Sequence, residues 1–405
     1  MNRAIAVTGI GLITPAGIGV EENWERICEG RGLAAKDPEL VGAAADISCR
    51  VPTFDAAEVV GAREVWRTDR FVQLALVAAK EAVADAGLDP GRWDGSRVGI
   101  VVGSAAGGVS TLETQHERFL SQGSKGVSAL FHPMALVNMV SGRMAIEYGA
   151  TGPNLVTATA CASGATAIGV ARDLLLSGAC DVVLAGGTEA AVTPTFVTGF
   201  ARMGALYSGT LPPEQASRPF DANRSGFVIG EGAGILVLER VTDAHARGAH
   251  VWARLLGYGA TCDAHHATSP HPTGQGIEDA MRLACRDAGV PPQDVQHVNA
   301  HGTSTRLNDA TEASAIALLG SQRVAVTSTK GVTGHTLGAA GAVEAAYTAL
   351  SLARQTIPPT ANLDQLDSEV RLDIVSESPR AVALDHALSN SSGFGGHNVS
   401  LLFGA

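Results

Sequence analysis

Three short stretches carry side chains able to do chemistry: "ATACASG" with Cys161, "VNAHGTSTRLND" with His301, and "TSTKGVTGHTLGAAGAVE" with Lys330, His335 and Glu344. Each follows an apolar run that reads as a buried strand, and strand ends are where α/β sheets build sites. A lone cysteine is usually a small buried hydrophobe. At the start of a helix it is a candidate nucleophile, because the N-terminal dipole favours the thiolate. A free thiol titrates near pH ~8.5, and such a placement is expected to lower this by about a unit or more. Two imidazoles supply hydrogen bonds to a developing enolate or oxyanion. Lys330 and Glu344 read either as an ion pair bracing a loop or as support for the histidines.

The elements that must hold these groups are legible as apolar runs alternating with helical patterns. Strands are expected at 4–11, 97–108, 155–160, 181–190 and 232–240, with helices at 71–87 and 162–177. The second half repeats the scheme, with strands at 251–260, 295–302 and 323–330 and helices at 276–289 and 338–353. "LVTATACASGATAIGVARDLL" and "VAVTSTKGVTGHTLGAAGAVEAAYTAL" both run strand, Thr-x-Thr, loop and small-residue helix, which suggests an internal duplication. The fold class is α/β with a buried mixed sheet. The polar junction at 241–250 is too short to let two halves move freely.

Composition excludes several classes. The 405 residues are 45% hydrophobic and only 17% charged, so much of the chain is interior or interface. A net charge of −11 argues against nucleic acid and against a membrane surface as partner. Six scattered cysteines form no CxxC pair, no zinc spacing and no disulfide framework. The start, "MNRAIAVTGIGLITPAG", reads as a strand and loop and not as a signal peptide. The expected setting is a reducing cytoplasm. "DAHHATSPHP", with His265, His266 and His271, lacks the spacing and the completing ligand of a zinc site, so no metal is expected. "VGSAAGGV" lacks the GK[ST] ending of a phosphate loop. In "GAREVWRTDRF", Arg63 and Arg67 lie four apart and are expected to share a helix face, a local basic patch for an acidic partner.

The motifs, in order, resemble those of the β-ketoacyl-acyl-carrier-protein synthases, condensing enzymes of the thiolase superfamily. They are "VTGIG", "ATACASG", "RPFDANRSGFVIGEGAG", "VNAHGTST", "TKGVTGHTLGAAG" and "SGFGGHN", and they span nearly the whole chain. The chain looks most like the elongating type II branch. The resemblance implies a duplicated, layered αβαβα fold, with residues 1–245 carrying the nucleophile and 246–405 the two histidines. It implies a Cys161, His301 and His335 site supported by Lys330 and Glu344. It places the amides of Cys161 and Phe394 in an oxyanion hole, and Thr303 and Thr305 beside a phosphopantetheine arm. By the same resemblance Ala106 is expected to border the acyl tunnel, Phe200 and Phe394 to wall it, and Asp263 and His266 to belong to a mobile gate loop.

The activity implied is decarboxylative Claisen condensation of a Cys-bound acyl chain with malonyl-acyl carrier protein. No cofactor is required, since phosphopantetheine arrives on the carrier. The partners implied are that carrier and a second subunit, giving a homodimer or a heterodimer with a chain-length-factor-like homologue. "HGTSTRLND" and "PPTANL" look like type II polyketide ketosynthases, which favours polyketide or polyene assembly, while "GTST" and "GHN" equally suit fatty-acid elongation, so both pathways stay open. A non-catalytic partner subunit would lack the nucleophile. A degradative thiolase would carry a second cysteine near the C-terminus, and an initiating synthase an asparagine in place of His335.

Overall fold

The computed structural model describes residues 4–320 and 324–405. Two sets of five strands have the same order and the same directions. The first set is β1 (Ile5–Thr14), β2 (Val98–Gly103), β3 (Asn154–Thr157), β4 (Val182–Glu189) and β5 (Gly232–Arg240), arranged β1-β5-β4-β2-β3. The second is β6 (Ala253–Cys262), β7 (His297–Asn299), β8 (Ala325–Thr327), β9 (His386–Gly393) and β10 (His397–Gly404), arranged β6-β10-β9-β7-β8. In each set the first, fifth and fourth strands pair antiparallel, while the second lies parallel to both the third and the fourth. The duplication suggested by Thr-x-Thr is therefore a duplication of topology. A short antiparallel pairing, Ile5–Val7 with Ala253–Leu255, joins the two sets into one mixed sheet of twelve strands.

Five layers result. Helix α1 (Arg70–Asp85) covers the outside of the first sheet, its N-terminus capped where Asp69 accepts from the Phe71 N–H. Helices α2 (Gln275–Ala288) and α3 (Arg306–Ala317) cover the outside of the second. Between the sheets lie α4 (Ser163–Leu176) and α5 (Ala340–Arg354), in one core with residues from both. The labels follow the order of the layers.

The central helices cross with almost nothing between them. A Cβ on Gly164 would sit 2.8 Å from the Ala342 nitrogen, and one on Gly341 would sit 2.8 Å from the Ala165 nitrogen. The abundance of small residues has its reason here, since ordinary side chains at these points would hold the helices apart. The observed ends fall within a few residues of expectation. The strand expected at 323–330 begins at Arg323, which lies outside the described residues; its described part forms β8. No helix among the described residues is long and apolar enough to cross a membrane.

Candidate active site

Cys161 does not sit in the first turn of a regular α-helix. It lies in a one-turn 3-10 segment, Ala160–Ala162, wedged between β3 and α4. Ala160 before it has φ 49°, a left-handed conformation that costs a non-glycine residue strain. Ser163 locks this elbow: its hydroxyl donates to the Ala160 carbonyl at 2.6 Å and accepts from the Thr159 N–H at 2.9 Å. The sharp turn presents the thiol to a cavity of about 500 Å³.

His301 and His335 line the same cavity. Ligand-type atoms of Cys161, His301 and His335 all lie within 4.8 Å of one another. The imidazoles meet edge to face with centroids 5.2 Å apart. His301 follows β7, and its N–H and that of Gly302 both donate to Glu312 on α3 at 2.8 Å. His335 is held by a bridge between strand-like segments: its N–H donates to the Val228 carbonyl and its carbonyl accepts from the Gly230 N–H. The C-terminal half lengthens the connection between its third strand and its elbow, and that extra loop carries both Lys330 and His335.

Lys330 is buried and central. Its ammonium donates to the His301 carbonyl at 2.6 Å, bonds Glu344, and lies 3.3 Å from His301 Nδ1. An ammonium only donates, so His301 Nδ1 accepts and Nε2 keeps its hydrogen for the cavity. Burial, reinforced by the Lys330 charge, holds both imidazoles well below the usual histidine range, hence neutral. Burial raises the Glu344 carboxyl to about 7 against the pull of Lys330.

The thiol departs from expectation. Burial pushes Cys161 up to about 12, outweighing the attraction of Lys330. A closed elbow desolvates the thiolate more than the helix end stabilises it. The group rests as a thiol at neutral pH, and any attack by its sulfur requires that the proton leave. Alkylation of Cys161 by iodoacetamide should accelerate about tenfold per pH unit from neutral to pH ~10, following the thiolate fraction. A plateau near neutral pH would contradict this.

The other residues singled out in the sequence are distributed as follows. Phe200, Phe394, Thr303 and Thr305 line the cavity. Phe200 and Phe394 have ring centroids 6.1 Å apart, and Phe227 packs edge-on to His335 at 5.2 Å. Gly393, at the end of β9, comes so near the elbow that a Cβ there would lie 3.2 Å from the Cys161 nitrogen, which brings the adjoining Phe394 to the same place. The Thr303 and Thr305 hydroxyls bond each other at 2.9 Å. Ala106 does not line the cavity but packs in the apolar cluster holding Cys161 and Phe200. His266 is exposed and does not itself line the cavity, but its Nδ1 accepts from the N–H groups of Thr268 and Ser269, which do. Asp263 reaches the rim and accepts from Asn398.

Arg63 and Arg67 do not share a helix. A single turn, Ala57–Val60, stops at Gly61 with φ 87°, and a separate 3-10 turn covers Val65–Arg67. Arg67 pairs with Glu64 and stacks on Trp66, while Arg63 is exposed. Glu312 and Phe227 escaped the sequence reading.

Comparison with known proteins agrees with this geometry. Residues 2–244 match the family model "Beta-ketoacyl synthase, N-terminal domain" and residues 252–364 its "C-terminal domain". A "3-oxoacyl-[acyl-carrier-protein] synthase 2" of Synechocystis sp. is 44% identical, over 99% of this chain and 98% of the relative. The ishigamide ketosynthase/chain length factor structure superposes with a TM-score of 0.93 at 34% identity, covering all of both chains. A type II polyketide ketosynthase, solved with its acyl-carrier protein and a bound hexaketide, superposes at 0.90 with 30% identity, again over all of both chains. Elbow thiol, paired imidazoles, duplicated sheets and matched models converge: this chain belongs to the β-ketoacyl synthase family.

Proposed function

We propose that the chain condenses a Cys161-bound acyl group with a malonyl group presented on an acyl carrier protein. The observation that carries this reading is the neutral His301–His335 pair facing the thiol within one cavity. In the first step the Cys161 sulfur attacks the carrier thioester, and its proton passes through imidazole to the departing carrier thiol. The tetrahedral oxyanion takes hydrogen bonds from the amides of Cys161 and Phe394. In the second, malonyl thioester loses CO2, and the His301 Nε2 hydrogen with His335 stabilises the enolate oxygen. The enolate carbon then attacks the enzyme thioester and the Cys161 thiolate leaves.

The phosphopantetheine arm passes Thr303 and Thr305, so the chain needs no cofactor of its own. Cys161, His301 and His335 are also zinc-type donors, but the Lys330 ammonium 3.3 Å from His301 Nδ1 opposes a second cation there. The acyl chain lies along Phe200 and the Ala106 cluster, and the loop with Asp263 and His266 borders the entry. Arg63 and Arg67 offer charge to the carrier. The nucleophile belongs to 1–245 and the histidines to 246–405, in a cytoplasmic protein. A second subunit, identical or homologous, pairs along the edge strand β3, where Leu155 is 43% exposed.

Two pathways fit. Polyketide or polyene assembly is supported by the structural likeness to ketosynthases of that kind. Fatty-acid elongation is favoured by the 44% identity to a 3-oxoacyl-acyl-carrier-protein synthase. The purified chain, alone and with a neighbouring homologue, should convert acyl- and malonyl-carrier to β-ketoacyl-carrier with one CO2 released. Absence of product with both preparations would overturn the reading.

A further inference from the structure

Glu189 is a buried carboxylate that the condensation scheme leaves unused. It ends β4, is 0% exposed, and has no cation partner among the described residues. Four neutral donors converge on it. Oε1 accepts from the Ser104 hydroxyl at 3.1 Å and the Ala106 N–H at 3.3 Å. Oε2 accepts from the Ala105 N–H at 2.7 Å and the Gly338 N–H at 3.2 Å.

The Gly338 bond acquires meaning from the duplication. Thr336, Leu337 and Gly338 repeat Thr159, Ala160 and Cys161: Leu337 and Ala160 both have φ 49°, and each opens a 3-10 turn leading into a central helix. Gly338 thus stands where the nucleophile stands in the other half. A Cβ there would lie 2.6 Å from Glu189 Oε2, so the second elbow has a carboxylate where the first faces a cavity. The same carboxylate grips the Ser104–Ala106 loop after β2. Leu337 lines the active-site cavity, and Ala106 packs with Leu337 and Cys161.

We propose that Glu189 is a positioning residue, a buried carboxyl group seated in the duplicate elbow that fixes two walls of the acyl channel and thereby governs which acyl lengths reach Cys161. The proposal rests on the reading of this cavity as the acyl acceptor. Both oxygens accept, so glutamine keeps the volume but must turn its NH2 toward N–H donors, and the clamp opens.

The experiment loads Cys161 from a ladder of acyl-carrier thioesters, acetyl to long chain, followed by intact mass. Wild type, Glu189→Gln and the milder Ser104→Ala are compared, with melting temperature and malonyl decarboxylation recorded for each. In Glu189→Gln, acetyl loading should stay within about twofold while loading of the longer chains changes about tenfold or more, the scale of pocket discrimination. Ser104→Ala should shift the profile in the same direction by less, and it carries the test if Glu189→Gln does not fold. A uniform loss along the ladder, or an unaltered length profile in a folded variant, would overturn the proposal. Failure of wild type to load any acyl group would instead count against the reading of the site itself.

Discussion

Cys161→Ala should fold and take up no acyl group. The side chain is 8% exposed and loses only its sulfur, so the stability cost is small, about 1 kcal/mol. The elbow is held by Ser163 and the Thr159 N–H, not by the thiol, and persists. Incubation with acyl carrier thioester should add the acyl mass to wild type and nothing to the variant. Malonyl decarboxylation should continue, because its enolate is stabilised by imidazoles that the substitution leaves in place. An adduct of equal yield in the variant would remove Cys161 from the role of nucleophile.

His301→Ala and His335→Ala should each slow malonyl decarboxylation by about 10²–10³, the usual effect of deleting one donor at a developing oxyanion. Acylation of Cys161 should suffer less. The pH profile adds a second check. Both imidazoles have their pKa depressed by burial and by Lys330, so they stay neutral as pH falls through 6.5. Protonation would leave the ring N–H donors in place but would remove the acceptor that His301 Nδ1 offers Lys330 and set a second cation beside it, and this happens only below the depressed values. Decarboxylation by wild type should therefore show no inflection near pH 6.5. Full rates in both variants, or a loss centred at 6.5, would contradict the assigned roles.

Much of this site was legible because its residues sit at the ends of apolar strands with small-residue helices behind them. The Thr-x-Thr segments announced the repeat, and the structure extends it to five strands in each half. What stayed hidden depends on packing. "HALSNSSG" carries no alternation of apolar and polar residues, yet it forms β9, where Asn390 accepts from Ser400 on the neighbouring strand. The thiol's raised pKa follows from burial in a closed elbow, which no spacing reveals. The four-residue spacing of Arg63 and Arg67 suggested a shared helix face, but Gly61 breaks the helix before either is reached. Glu312 went unseen because its partners are backbone N–H groups, which leave no mark in sequence.

The near-touching of α4 and α5 at Gly164 and Gly341 has a consequence for the chemistry. The thiol is carried by the elbow that leads into the central helix of one half, and the imidazoles by loops of the other. Their separation is gauged by the missing methyl groups at this crossing. A side chain added there would push on the opposite backbone, only 2.8 Å away, and the halves would part like the jaws of a caliper. Misplacing reacting groups by about 1 Å costs on the order of a hundredfold in rate. Two residues with no side chain at all thus calibrate the reach between the thiol and the two imidazoles.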